Sequence, residues 1–151
     1  MKLKLRRNAR LYRGLCVITN MRANVQECVW IGNAKSQYKS ILVFVNTIDE
    51  SQKVYEYVKS ANVKCAVLNK KKSQTGRQKA LNDLKSWEIK VLVATDLASR
   101  GLDINDLSCV VNYEIPNDAE SYVHRIGRTA RAGKDGLAIA MCTPNEKPKF
   151  Q

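Results

Sequence analysis

The 151-residue sequence contains no Gly-x-x-x-x-Gly-Lys-Ser/Thr stretch, so it carries no phosphate loop able to wrap a nucleotide's phosphates unaided. Gly127 to Lys134 is only superficially similar: Gly127 precedes Gly133 by six positions, and Asp135 stands where a magnesium-ligating Ser or Thr is required. Histidine is nearly missing, with His124 alone, and none of Cys16, Cys28, Cys65, Cys109 and Cys142 forms a Cys-x-x-Cys pair. These gaps exclude the usual zinc sites and a disulfide framework, and free thiols in apolar runs fit a reducing compartment. Long apolar runs are missing as well. Leu15 to Ile18 is too short for a signal-peptide core, and no run approaches the roughly 20 residues of a membrane span. Internal repeats are absent, and so are acids before Glu27.

The basic residues are abundant: 26 Lys and Arg against 14 Asp and Glu, a net charge of +12. Such a balance favours a polyanionic partner. Seven of the basic residues, from Lys2 to Arg22, precede the first acid. That stretch is compatible with a nucleic-acid arm, a solvated basic tail or an organelle presequence. The length suits one domain with one core. The expected organisation is a basic segment over 1–22, a domain over 23–147 and a tail over 148–151.

From Ile41 onward apolar runs alternate with helical periodicity. Strands are expected at 26–31, 41–45, 64–68, 90–94, 109–112 and 136–141. A capping box of Thr47 and Glu50 starts a helix to about Ser60, with Val54, Tyr57 and Val58 on its inner face. A second helix runs from Gln74 to about Trp87 with Leu81 and Leu84 inward, and Gly76 in its first turn favours a late start. A third begins at Asp118 under an Asn117 cap and ends near Ile126. This alternation gives an α/β fold, a three-layer sandwich of a mainly parallel sheet flanked by helices. Ligands of such sheets collect at the strands' carboxyl ends, where Thr47, Thr95, Asp96 and the loop after Asn112 fall.

Two stretches carry the most chemistry. His124-Arg125-Ile126-Gly127-Arg128-Thr129-Ala130-Arg131 gathers three arginines and the histidine just after a short amphipathic helix. Ala94-Thr95-Asp96-Leu97-Ala98-Ser99-Arg100-Gly101-Leu102-Asp103 follows an apolar strand roughly 30 residues earlier. Ser73-Gln74-Thr75-Gly76-Arg77 and Phe44-Val45-Asn46-Thr47 precede them. Taken alone, the arginines could be a nonspecific basic patch, and Asp96 could merely cap a helical turn. Together, in this order and spacing, the four stretches resemble the motifs of the second, C-terminal RecA-like domain of a DEAD-box RNA helicase. The family's Asp-Glu-Ala-Asp sequence does not occur here.

That resemblance implies roles. Arg128 and Arg131 would be arginine fingers for ATP cleavage, worth roughly 10³ to 10⁵ in rate. Gly101 and Asp103 would face the nucleotide, Asp103 accepting a hydrogen bond from the ribose. His124, Arg125 and Asp96 would couple the two domains, with Arg125 holding the arginine motif in place. Thr47, Gln74, Arg77 and Thr95 would contact RNA phosphates. The cofactor would be ATP with Mg2+, bound mainly by a first RecA-like domain, and no metal site belongs to this chain. The partners would be RNA, recognised through its backbone, and that first domain. The protein would be a monomer away from membranes, inside the cell, in nucleus, nucleolus or cytoplasm, with an organelle also open.

The sequence departs from the family in several places. Leu68-Asn69-Lys70-Lys71-Lys72 stands where the family has His-Gly, and three lysines keep positive charge beside the expected RNA track. Ala130 stands where many members have Gly, in a Thr-Ala-Arg variant similar to members acting on ribosomal RNA. Only Gly32 to Ser40 separate two expected strands, which is short for a parallel crossover, and the usual final helix after Pro148 is missing. The resemblance therefore implies a domain shortened at both ends. Two other readings stay open: a catalytically inactive RNA-binding module, and a helicase of the same superfamily acting on DNA.

Overall fold

The computed structural model describes residues 11–17, 37–130 and 134–142. Six strands form one sheet: β1 (Leu11–Val17), β2 (Ile41–Val45), β3 (Cys65–Leu68), β4 (Val91–Thr95), β5 (Cys109–Asn112) and β6 (Gly136–Cys142). Their order across the sheet is β1-β6-β5-β2-β4-β3, and every neighbouring pair is parallel. Among the described residues, four helices accompany them: α1 (Ile48–Ser60), α2 (Gln74–Lys85), α3 (Asp96–Ser99) and α4 (Ala119–Ile126).

The residue pattern explains the layers. β2 and β4 are buried along their whole length, because a central parallel strand is covered on both faces. Period-two alternation divides β2 between two cores. Ile41, Val43 and Val45 pack with Val54 and Val58 of α1. Leu42 and Phe44 pack with Ala80, Leu81 and Leu84 of α2. Each buried Val or Leu stabilises the layers by about 1.5–3 kcal/mol. The result is the three-layer sandwich expected from the sequence.

Local differences have local causes. Thr47 Oγ1 accepts from the Glu50 amide at 3.2 Å and caps α1, but Tyr57 is 41% exposed. The expected inner face was drawn too wide, since Val54 and Val58, one turn apart, already fill it. Helix α2 is not delayed by Gly76: Ser73 Oγ accepts from the Gly76 amide at 3.1 Å and fixes the start at Gln74. Helix α4 is capped by Asp118 rather than Asn117. The Asp118 carboxylate takes both the amide (2.7 Å) and hydroxyl (2.8 Å) of Ser121, and a charged acceptor outcompetes a carboxamide there.

Strand β1 lies within the stretch read from the sequence as a basic segment separate from the domain. Arg13 and Gly14 interrupt an otherwise strand-like Leu-Tyr-Arg-Gly-Leu-Cys-Val run, and it pairs with β6 from Leu11 opposite Gly136 to Val17 opposite Cys142. The expected strand at 26–31 lies outside the described residues.

Candidate nucleotide and RNA interface

Strands β4, β2 and β5 are adjacent, so their carboxyl ends deliver Asp96, Asn46 and Asn112 to one place. Arg125, on the last turn of α4, reaches into that place and is 1% exposed. Its Nε donates to Asp96 Oδ1 at 2.8 Å, and one terminal nitrogen donates to Asp96 Oδ2 at 2.5 Å and Asn46 Oδ1 at 2.9 Å. The other donates to the Glu114 carbonyl at 2.7 Å and to Asn112 Oδ1 at 3.2 Å. All five guanidinium N–H groups are thus matched. The Phe44 ring, 5.0 Å away, closes the remaining face. A buried charge is tolerated only under such pairing.

Asn46 ties this hub to its surroundings. Its amide donates to Glu114 Oε2 at 2.6 Å, and its Nδ2 donates to the Ile115 carbonyl at 3.0 Å. Three residues beyond Arg125, the Arg128 amide bonds back to the Arg125 carbonyl at 3.2 Å, and the Arg128 carbonyl accepts from the Leu107 amide at 3.1 Å. Thr129, buried, donates its hydroxyl to the Leu107 carbonyl. The turn carrying Arg128 is therefore fixed at both ends. A small cleft is lined by Phe44, Asp96, Ser99, Arg100, His124 and Arg128, together with Ser121 and Arg125. His124 is exposed at its rim, with Glu120 Oε1 3.9 Å from Nε2.

Asp103 lies within the electrostatic reach of Arg128. Lys85 Nζ donates to its Oδ2 at 3.0 Å and Asn105 Nδ2 to its Oδ1 at 2.7 Å. Those two hydrogen bonds, then the nearby charges of Lys85 and Arg128, hold its carboxyl below the usual range. Asp103 also edges a hollow of about 370 Å³ between Leu81, Trp87 and Ile104. Gly101 sits at φ +74° with open space where a Cβ would be, so backbone conformation alone calls for glycine there.

The residues expected at RNA differ in exposure. Thr47 and Gln74 are exposed at the first turns of α1 and α2, whereas Thr95 is 6% exposed at the end of β4. Arg77 is half-buried, and its Nε has no partner among the described residues. Arg131 lies outside the described residues. The sequence reading missed Asn112, Glu114, Lys85 and Asn105 as partners of the expected site. Asn46 and Asn112, polar residues ending apolar strands, were the available signal; Lys85, 18 positions from Asp103, offered none.

A parallel sheet with an arginine-bearing turn seated over its carboxyl ends defines a RecA-like domain of the kind found in nucleic-acid motors. Residues 20–133 match the model of the helicase conserved C-terminal domain, and the chain belongs to that family as a DEAD-box C-terminal domain. It is 48% identical over 106 residues to a pre-mRNA-splicing ATP-dependent RNA helicase PRP28 of Cryptococcus neoformans, covering 70% of this chain and 14% of that protein. It is 45% identical over 108 residues to the DEAD-box ATP-dependent RNA helicase RhpA of Helicobacter pylori, covering 72% of this chain and 22% of that protein. The crystal structure of a DEAD box protein from Methanococcus jannaschii superimposes with a TM-score of 0.79 at 35% identity, over 95% of this chain and 38% of that one. The chain thus spans less than a quarter of the length of these two curated relatives.

Proposed function

We propose that the chain acts as the second RecA-like domain of an ATP-dependent RNA helicase, supplying arginine fingers and RNA-backbone contacts to ATP-driven remodelling. The observation that carries this reading is the Arg125 hub. It locks the turn bearing Arg128 onto the same strand ends that present Thr47 and Thr95. Phosphate contact on one side and RNA contact on the other then share one rigid frame.

The residues fit a nucleotide between the domains. Asp103, kept ionised, is an acceptor suited to a ribose hydroxyl, and Arg128 beside it is suited to phosphate oxygens. ATP with Mg2+, when bound, supplies the phosphoryl group, with the metal held by the first domain. Arg128 and Arg131 stabilise charge developing on that group. Gly101 lets the backbone turn toward it, and His124 contacts the first domain from the cleft rim. Thr47, Gln74, Arg77 and Thr95 hold RNA phosphates, so binding has low sequence preference and strong salt sensitivity. Without a phosphate loop, the chain alone binds RNA and hydrolyses nothing. We place it inside the cell as a monomer, in nucleus, nucleolus or cytoplasm, with ribosomal RNA processing as the pathway.

The test joins this chain to the first RecA-like domain of the Helicobacter relative, replacing that protein's own second domain. Arg128→Ala is expected to lower RNA-stimulated ATP turnover at least 100-fold while RNA binding persists. Unchanged turnover in that variant defeats the finger assignment.

A further inference from the structure

We infer that Lys70, Lys71 and Lys72 form a built extension of the RNA track, adding about three phosphate contacts beyond Arg77. The inference rests on the RNA-binding reading above and deepens it.

All three lysines are exposed, and none forms an ion pair with an acid among the described residues. A lysine run on a mobile loop would be only a solvated charge. This one is pinned. Asn69, 2% exposed, accepts from the Lys71 amide through Oδ1 at 3.1 Å, and its carbonyl accepts from the Lys72 amide at 3.1 Å. Its Nδ2 donates to Ser51 Oγ at 3.0 Å. Ser51 in turn donates its hydroxyl to the Ile48 carbonyl at 2.6 Å and its amide to the Thr47 carbonyl at 3.0 Å. The lysine turn is therefore anchored to the helical turn that presents Thr47.

Position and charge agree. The lysines follow β3, the outermost strand on that side of the sheet, and precede the start of α2, whose first turn has no acid. Arg77 follows, with a buried Nε lacking a partner among the described residues. A strand of RNA passing Thr47 and Arg77 continues over the sheet edge onto the three ammonium groups. Point-charge contacts of this kind bind backbone without reading bases.

The experiment measures anisotropy of a labelled 20-nucleotide oligouridylate with the full 151-residue chain from 50 to 200 mM salt. Each phosphate contact on a single strand contributes about −0.7 to the slope of log K against log salt. Replacing Lys70, Lys71 and Lys72 with Gln should therefore flatten the slope by about 2, so that wild type and variant differ roughly 16-fold more at the low-salt end than at the high-salt end. A variant replacing Lys39, Lys59 and Lys64 with Gln removes equal charge near the opposite ends of the strands, and it should keep the wild-type slope. Equal flattening in both variants overturns the inference in favour of general charge. An unchanged slope in the Lys70–Lys72 variant overturns it too. Failure of the wild-type chain to bind RNA at 50 mM salt removes the underlying RNA reading itself.

Discussion

Arg125 and Asp96, 29 positions apart in sequence, meet in a two-pronged contact of 2.8 and 2.5 Å. The guanidinium is almost fully enclosed while the carboxylate side chain is a third exposed. The pair joins the end of β4 to the end of α4, and so joins the two richest sequence motifs. Lysine in place of Arg125 keeps the charge but loses the planar fork and leaves the Asn112 and Glu114 oxygens without a donor. Arg125→Lys is expected to lower unfolding free energy by about 2–3 kcal/mol in urea titration. A change below about 0.5 kcal/mol contradicts an interlocked hub.

Gly136 is fixed by space rather than by backbone angle. A Cβ there would lie 2.5 Å from the Ala130 amide nitrogen and closer still to the Thr129 hydroxyl. Backbone cannot yield as a flexible side chain can. Gly136→Ala should cost about 1–3 kcal/mol and disturb the Thr129–Leu107 bond; thermal melting of the two chains side by side reads the cost directly.

Ala130 adopts φ +54°, a left-handed conformation that disfavours a residue with a Cβ by about 1–2 kcal/mol. Glycine removes that strain but frees the unfolded chain, offsetting part of the gain. Ala130→Gly should therefore stabilise by about 0.5–1 kcal/mol. A loss of stability in urea titration would mean that the methyl group contributes packing that outweighs its conformation.

Burial pushes the Cys109 thiol up to about 12 from its ordinary 9.0. The folded state thus holds this proton more tightly than the unfolded state does. Its contribution is fully present below about pH 9 and is lost as pH rises from there toward 12. Unfolding titrations at pH 8 and 10.5 should show a smaller alkaline loss for Cys109→Ala than for wild type. Equal losses would put the alkaline sensitivity elsewhere. The native thiol should also resist a neutral-pH alkylating agent that labels it readily once unfolded.

Much of the fold was legible because its signals are local. The apolar run of Ile41 to Val45, the Thr47 and Ser73 starts, and the spacing of Leu81 and Leu84 each dictate structure within a few residues. What escaped depended on competition or distance. Asp118 displaced Asn117 as a cap because Ser121 offered it two donors. β1 escaped because Arg13 and the basic residues before it masked its strand character, and its partner is 125 positions away. The candidate site followed the same rule. The motifs announced Arg125, Arg128, Asp96 and Asp103, while Lys85 joined Asp103 only through folding.

The pairing of Leu11 with Gly136 also sets a timetable for the nascent chain. β1 is made before β2 to β5, whereas the strand it pairs with follows them. β2, β4 and β5 can assemble while synthesis continues, but the sheet's outer edge must wait for the final strand. During that interval the flank of β5 that receives β6 is an unpaired strand edge, open to the wrong neighbour. The interval between the making of β5 and the arrival of β6 is therefore one in which this edge is open to mispairing.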